Sequence, residues 1–167
     1  YNLGKNNIFQ TEENDVRVFL PGREINSNKY NNGKVFILSG SKGLTGAACL
    51  CSMSALRTGS GAVITGVPES VNEIMEIKLT EVMTLALKET ADSTLSLGSY
   101  GLIKEKLKWA DTVLIGPGLS KNEETLELVR KIVNENDLHF VIDADAISAF
   151  KGNLNLLKKR KIILTPH

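Results

Sequence analysis

The sequence predicts an α/β fold in which a doubly wound, mainly parallel sheet carries helices on both faces, giving three layers. Two observations predict it: short apolar runs alternate with amphipathic segments of helical period, and the runs end in glycine, aspartate or proline turns. Strands that are apolar throughout are typical of parallel sheets buried between helices. With 167 residues, 42% of them hydrophobic, the chain can form one such core but not two ordinary ones.

The predicted elements follow this alternation along the chain. A leading segment, residues 1–33, is polar and rich in asparagine, and its one helical turn, at 11–20, ends at Pro21-Gly22. Residues 80–101 mix Thr, Ser and Gly and receive no firm assignment. In the remainder, residues 34–167, the predicted strands are 35–38, 62–65, 112–115, 140–142 and 161–164, and the predicted helices are 47–57, 69–77, 100–109, 121–134 and 145–150.

Two helix starts carry recognisable cap signals. Ser120-x-x-Glu123 predicts a capping box for the helix at 121–134, because a serine and a glutamate at that spacing can satisfy each other's backbone N–H groups. Asp145 stands at the start of the helix at 145–150, where an aspartate often accepts a bond from a first-turn amide. We therefore expect Asp145 to act as a cap.

The charge balance and the cysteines exclude several classes of protein. Twenty Lys and Arg against 19 Asp and Glu give a formal net charge of +1, which provides no attraction for nucleic acid or for an anionic membrane. No apolar run approaches the ~20 residues that span a bilayer. Cys49 and Cys51 lie two residues apart in a predicted helix and so can neither pair nor share a metal. Two buried free thiols suit a reducing compartment, and we expect a soluble, cytoplasmic protein.

The ends of the predicted strands outline a ligand groove. Ligands of open parallel sheets bind outside the carboxyl ends of the strands. Here those ends are Gly40–Gly46, Gly116-Pro117-Gly118, Asp143-Ala144-Asp145 and Thr165-Pro166-His167. Glycine allows a backbone to approach a ligand closely and leaves its N–H groups available to anions.

The loop at Gly40–Gly46 fits neither common nucleotide motif. Ala47 stands where a Walker A loop has its lysine, and no G-x-G-x-x-G begins at Gly40. Glycines leading into a helix still place a positive helix end beside a mobile backbone. By itself the pattern allows two interpretations for Gly46 and its neighbours: contact with an anion or nucleotide, or a tight turn from strand to helix.

The other strand ends allow alternatives as well. The proline between Gly116 and Gly118 makes a rigid bend, which either packs against a flat ligand ring or is a plain turn. Asp143 could hold Mg²⁺ or a phosphate-bound metal, or transfer a proton. His167 would face the same groove, although a single histidine is more often structural than a ligand contact.

Taken in order, the motifs of this chain resemble those of the dehydratase domain of the NAD(P)H-hydrate repair enzymes, a branch of the ribokinase-like superfamily. The resemblance begins near residue 12 and covers nearly all of the remaining chain; each motif is weak alone, and their order makes the set specific. The matching stretches are Leu20-Pro-Gly-Arg23, Ser27-Asn-Lys29, Gly33-Lys-Val35, Gly40-Ser41, Thr45-Gly-Ala-Ala48, Ala55-Leu-Arg-Thr-Gly-Ser-Gly61, Val67-Pro-Glu-Ser70, Glu81-Val-Met-Thr84, Ile115-Gly-Pro-Gly-Leu119, Val141-Ile-Asp-Ala-Asp-Ala146 and Leu164-Thr-Pro-His167.

The resemblance implies a function and a set of contacts. Enzymes of this kind use ADP or ATP, with Mg²⁺, to dehydrate the S forms of hydrated NADH and NADPH (NADHX and NADPHX), phosphorylating the ring hydroxyl and then eliminating phosphate. Their hydrate-binding contacts map onto Ala47, Gly118 and His167. Gly46, Gly116 and Asp143 are candidates for phosphate, metal or groove contacts. Members of the family often form homotetramers, so the resemblance implies a homo-oligomer.

This chain also departs from the family pattern. Ser27-Asn28-Lys29 stands where the family usually has Ser-His-Lys. The family's AMP-binding segment and its late glycine-rich motif with the catalytic aspartate have no counterpart here, so no catalytic residue is assigned. We expect residues 34–167 to be the first part of a single ribokinase-like domain, truncated on its C-terminal side and acting with a complementary C-terminal fragment.

Two other functions stay open at this point. A ribokinase-like kinase of a hydroxymethylpyrimidine or thiazole alcohol would share the sheet pattern, although the Thr-Gly-Ala-Ala and Glu-Val-Met-Thr motifs argue against it. A non-catalytic nucleotide-binding fragment is the alternative from a different class, since the isolated chain is expected to be inactive without the late aspartate.

Overall fold

The computed structural model describes residues 11–20, 22, 24–158 and 160–167. Residues 1–10, Pro21, Arg23 and Lys159 lie outside the described residues, and with them the start of the leading segment, the Pro21 stop and half of the motif at 20–23. The helices are α1 (Glu13–Phe19), α2 (Thr45–Arg57), α3 (Glu69–Lys78), α4 (Tyr100–Trp109), α5 (Glu123–Glu135) and α6 (Asp145–Ser148). The strands are β1 (Lys34–Leu38), β2 (Ala62–Pro68), β3 (Met83–Leu87), β4 (Thr112–Ile115), β5 (His139–Asp143) and β6 (Ile162–Thr165).

The six strands form one sheet in the order β3-β2-β1-β4-β5-β6, and every neighbouring pair is parallel. The chain first builds outward from β1 through β2 to β3, and then returns to the other side of β1 to lay down β4. The predicted parallel, doubly wound α/β sheet is thereby confirmed. The strand order reverses between β1 and β4, which is where such sheets bind ligands.

One strand falls in the region that the sequence left unassigned. β3 occupies Met83–Leu87 and pairs with β2 from Ile64↔Met83 to Pro68↔Leu87. It is an edge strand with Met83 exposed, and its leucines and alanine favour helices as much as strands. Its pattern therefore lacked the β-branched, apolar signature of the central strands.

The cap of α5 differs from the predicted one. The helix begins at Glu123, and Asn122 precedes it as the N-cap, its Oδ1 accepting a bond of 3.0 Å from the N–H of Glu124. The capping box at Ser120 was therefore wrong, because Ser120 lies two residues too early, in a left-handed conformation with φ of 71°.

Both sheet faces carry helices, but over different widths. On one face α4, α5 and α6 cover a core that includes Phe36, Ile115 and Phe140. On the other, α2 and α3 cover Ile37 and Val63. The sheet is thus the middle of three layers, and one outer layer is narrower than the other.

No helix of the described residues is long and apolar enough to cross a membrane.

The narrower layer leaves the β4–β6 end of its face open. One row of paired residues runs across that face: Ile37 pairs with Leu114, Leu114 with Val141, and Val141 with Ile163. Ile37 is 0% exposed, Leu114 and Val141 are half-buried, and Ile163 is 63% exposed. A crevice of about 410 Å³ follows this face beside α2.

Candidate functional site

The candidate site is the rim where the carboxyl ends of β1 and β4 meet. The loop after β1 (the β1 loop, residues 39–44) leads into α2, and the turn after β4 (the β4 turn, residues 116–120) leads toward α5. Because the two strands are neighbours at the point where the sheet order reverses, their loops lead toward opposite faces, and open parallel sheets bind ligands in the cleft at such a point. The fold therefore brings two of the predicted strand ends together.

The two loops are bonded directly to each other. The Gly40 N–H donates to the Pro117 carbonyl at 2.9 Å, and the Ser39 hydroxyl donates to the same oxygen at 2.5 Å. The Ser41 hydroxyl donates to the Gly118 carbonyl at 2.8 Å. Ser39 and Ser41 are 0% and 2% exposed, so water does not compete for these bonds.

Gly118 lies against the start of α2. Its φ is +69°, and a Cβ added there would lie 3.1 Å from the Cβ of Ala47 and 3.0 Å from the carbonyl oxygen of Leu44. Gly118 and Ala47, two of the three residues that the resemblance implies as hydrate contacts, are thus direct neighbours, and both are half-buried. No side chain other than hydrogen fits at 118 without strain.

Gly46 and Gly116 have different surroundings. Gly46 is exposed in the first turn of α2, and a Cβ there would meet nothing within 4 Å of the described atoms. Gly116, at φ of +135°, is buried, and its added Cβ would lie 1.8 Å from the Asp143 carbonyl oxygen. Glycine at 116 is therefore explained by the close approach of β4 to the end of β5, whereas Gly46 borders open space.

Asp143 lies at the end of β5, on the open sheet face. One of its carboxylate oxygens accepts the Thr165 hydroxyl at 2.7 Å, so the ends of β5 and β6 are joined at the rim. The Cys51 thiol of α2 lines the same crevice as Asp143 and Thr165. Burial raises the pKa of Cys51, the nearby Ser39 hydroxyl opposes the rise, and the negative charge of Asp143 adds to it.

Asp145 does not cap α6, so that prediction was wrong. Ala144 occupies the position before the helix, with φ of 47°, and provides no side-chain cap. Asp145 is already the first helical residue, and its carboxylate accepts the N–H of Ser120 at 3.0 Å. It fixes the far end of the β4 turn instead.

The histidines and cysteines complete the residues singled out from the sequence. His167 is exposed, two residues beyond the end of β6. β5 lies between β4 and β6, so the strand that leads to His167 is about 10 Å from β4, at roughly 4.8 Å per strand. His139 begins β5 at the opposite edge of the sheet. Cys49 and Cys51 are free, as expected, but half-buried rather than buried.

Sequence reasoning missed Ser39 and assigned no contact to Ser41 or Thr165, although both of these lie within the predicted strand ends. Each is a small hydroxyl residue directly after or at the end of an apolar strand, and that position was the available signal. For metals, the described part of the chain holds no group of three or more His, Cys, Asp or Glu side chains placed to bind an ion.

Comparisons with known proteins agree on one family. A family model described as NAD(P)H-hydrate dehydratase matches residues 35–167. The bifunctional NAD(P)H-hydrate repair enzyme Nnr of Moorella thermoacetica is 38% identical over 150 residues, covering 89% of this chain and 28% of that protein. The ADP-dependent (S)-NAD(P)H-hydrate dehydratase of Xanthomonas campestris is 30% identical over 139 residues, covering 83% and 47% respectively.

Solved structures share the fold. A ribokinase-like superfamily protein of Enterococcus faecalis matches with a TM-score of 0.75 at 22% identity, covering 89% of this chain and 50% of that one. The ADP/ATP-dependent NAD(P)H-hydrate dehydratase of Bacillus subtilis, co-crystallised with ATP/Mg²⁺, matches with a TM-score of 0.65 at 25% identity, covering 93% and 50%. The chain spans about half the length of these structures and of its single-function relatives. With the family model matched over most of the sequence, the chain belongs to the NAD(P)H-hydrate dehydratase family.

Proposed function

We propose that this chain provides the first half of a dehydratase site that repairs NADHX and NADPHX in their S forms at the expense of ADP or ATP. The observation that supports it most directly is the contact between Gly118 and Ala47, two residues that the family resemblance singles out and that the fold places side by side at the rim. The match of the family model from the first strand to residue 167 supports the same assignment.

In this proposal the rim binds and orients the hydrated nicotinamide. The ring packs on the glycine backbone at 118, beside the Ala47 methyl group, because neither residue projects a long side chain into the cleft. His167 contacts the hydrate from the β6 side. The ring hydroxyl accepts a phosphoryl group from ADP or ATP, and loss of that group as phosphate, together with a ring proton, restores the double bond. These steps make the protein a carbon–oxygen lyase.

Magnesium fits this scheme only as a companion of the nucleotide. Mg²⁺ usually keeps several waters and takes one or two carboxylates together with substrate phosphates. At the rim Asp143 offers one carboxylate, whose second oxygen is not engaged by Thr165. We propose that Asp143 faces the nucleotide-bound Mg²⁺, which neutralises phosphate charge when it is bound, and that Gly46 leaves room for phosphate at the start of α2.

The remaining partners belong to the same proposal. The open face at the β4–β6 end and the half-length match to the relatives support a complementary C-terminal segment that supplies the catalytic aspartate and most nucleotide contacts. The isolated chain would then bind the hydrate without turning it over. A homotetramer and a cytoplasmic location follow from the resemblance and complete the proposal.

A binding experiment tests this function on the chain itself. Chemically hydrated NADH is titrated into the chain and followed by calorimetry, with a hydroxymethylpyrimidine as the competing small-molecule alcohol. We expect the hydrate to bind and the pyrimidine not to bind. Gly118→Ala should abolish binding, since its methyl group would occupy the cleft beside Ala47.

Gly101→Ala is the matched control for that variant. Gly101 lies in α4, and a Cβ there meets nothing within 4 Å, so hydrate binding should be unchanged. Circular dichroism establishes that both variants are folded at the temperature used. Preferential binding of the pyrimidine would favour the kinase alternative, and equal hydrate binding by wild type and Gly118→Ala would remove the rim from the proposal.

A further inference from the structure

Three consecutive residues at the start of the β1 loop hold the β4 turn by its carbonyl groups. Ser39 and Gly40 both donate to the Pro117 oxygen, at 2.5 and 2.9 Å, and Ser41 donates to the Gly118 oxygen at 2.8 Å. All three donors come from one short segment with Gly40 at φ of +83°, the conformation that turns the chain between the two serines. The Pro117–Gly118 peptide therefore has its carbonyl oxygen held on one side.

The orientation of that peptide determines where the Gly118 amide points. In a trans peptide the N–H lies opposite the C=O of the preceding residue, and the structure has no cis peptide bond among its described residues. Holding the Pro117 oxygen toward Ser39 and Gly40 thus directs the Gly118 N–H away from them. That N–H donates no hydrogen bond within the part of the chain that the structure describes.

From this geometry we infer that Ser39 and Ser41 are positioning residues, which hold the Pro117–Gly118 peptide so that the Gly118 N–H is presented as a donor to an acceptor oxygen of the substrate. The inference deepens the proposed function and rests on it for the identity of the ligand. Hydrated nicotinamide nucleotides carry such acceptors in the carboxamide, the ring hydroxyl and the phosphates. The serines act through the backbone and need not touch the ligand.

Burial explains why hydroxyl groups suit this role. Ser39 and Ser41 are 0% and 2% exposed, so a hydroxyl that lost its carbonyl partner would have no water to replace it. Leaving a buried polar group unsatisfied is unfavourable, which favours the bonded arrangement of the two loops. Alanine at either position would leave a carbonyl of the β4 turn with fewer donors and allow the peptide to rotate.

The test combines amide hydrogen exchange with ligand binding in Ser39→Ala, Ser41→Ala and the double variant. Ser52→Ala is the matched control: Ser52 is also a fully buried serine, but its hydroxyl bonds to the Ala48 carbonyl and to Thr65, at 2.6 Å each, and not to the β4 turn. We expect the amides of Gly40 and Leu119, which bond to Pro117 and Gly116, to exchange about tenfold faster in the rim variants than in the control.

Binding of hydrated NADH gives the second measurement. Loss of an oriented donor should raise Kd about tenfold or more in the double variant, with Ser52→Ala unchanged. Exchange at Gly40 and Leu119 no faster than in the control overturns the inference, and so does an unchanged Kd in the double variant. Failure of the wild-type chain to bind the hydrate contradicts the proposed function instead, and the exchange rates then decide alone whether the serines hold the turn.

Discussion

The rim of this sheet is built mainly from backbone atoms. Two glycines are important there because they have no Cβ atom, so other groups can lie close to the backbone. Gly116 allows β4 to approach the Asp143 carbonyl, and Gly118 allows the turn to lie on Ala47. Side chains contribute at the edges of that surface, where Ser39, Ser41 and Asp145 each bond to a backbone group of the turn or its end. A surface of this kind allows another group to approach the backbone closely.

At the same scale, the pKa of the Cys51 thiol depends on the charge of Asp143. Its pKa is raised by burial and, in addition, by the Asp143 carboxylate across the crevice. Only the thiolate reacts with iodoacetamide, so the raised pKa makes alkylation slow at neutral pH. In a Cys49→Ala background, Asp143→Asn removes the negative charge, lowers the pKa of Cys51 and should speed alkylation at fixed pH.

The control for this measurement is Asp137→Asn, in the loop before β5 at the opposite edge of the sheet. It removes the same charge without facing Cys51, and the alkylation rate should stay at the wild-type value. An Asp143→Asn rate equal to or below the wild-type rate would mean that the carboxylate does not face the thiol in solution.

At the scale of elements, α5 offers a direct comparison between the predicted cap and the observed one. Asn122 Oδ1 accepts from Glu124, and its amide group donates to Asp92 at 2.8 Å. Asn122→Ala should lower the free energy of unfolding by about 1 kcal/mol, the usual effect of losing an N-cap. Ser120→Ala keeps the backbone bond to Asp145 and should change stability by less than about 0.5 kcal/mol. Urea unfolding of both variants decides, and the reverse ranking would restore Ser120 as the cap.

The strands that the sequence predicted well are short apolar runs bounded by turn residues. β1, β4 and β5 are such runs, and so is β6, although it lies at the sheet edge with Ile163 63% exposed. β3 could not be assigned, because an edge strand is half-exposed and its Leu85, Ala86 and Leu87 suit a helix equally. The predicted helix caps at Ser120 and Asp145 were wrong for another reason. Whether a residue caps a helix depends on its own backbone angles, and the sequence pattern does not specify those angles.

The location of the candidate site could be predicted from the sequence, but the hydrogen bonds that join its two loops could not. Glycines and aspartates at strand ends, combined with the rule for parallel sheets, were enough to select the rim that contains Gly118, Ala47 and Asp143. The bonds from Ser39 and Ser41 were not, since they depend on which strands are neighbours. β1 and β4 are separated by two strands in sequence and adjacent in the sheet, and only the strand order reveals that pairing.

At the scale of the whole molecule, the two sheet faces differ in how far their helices reach. On the face of α4 and α5, Leu38, Ile115 and Ile142 are at most 1% exposed, so cover extends across β5. On the opposite face cover ends near β4, and the apolar row continues uncovered to Ile163. Apolar surface of this kind is unfavourable in water and is typical of interfaces. The complementary segment of the proposed function would lie here.

Ile37 and Ile163 stand in one row of the same face and allow a matched test of that difference. Ile37 is 0% exposed beneath α2, so Ile37→Thr removes buried methyl surface and buries a hydroxyl, at a cost of about 2 kcal/mol or more. Ile163→Thr keeps the β-branched shape on an open surface and should cost less than about 0.5 kcal/mol. Urea unfolding at two protein concentrations measures both. The contrary result is a loss of unfolding free energy in Ile163→Thr that approaches the loss in Ile37→Thr and grows with protein concentration. It would mean that a second copy of the chain already covers this face, which leaves no room there for a C-terminal segment.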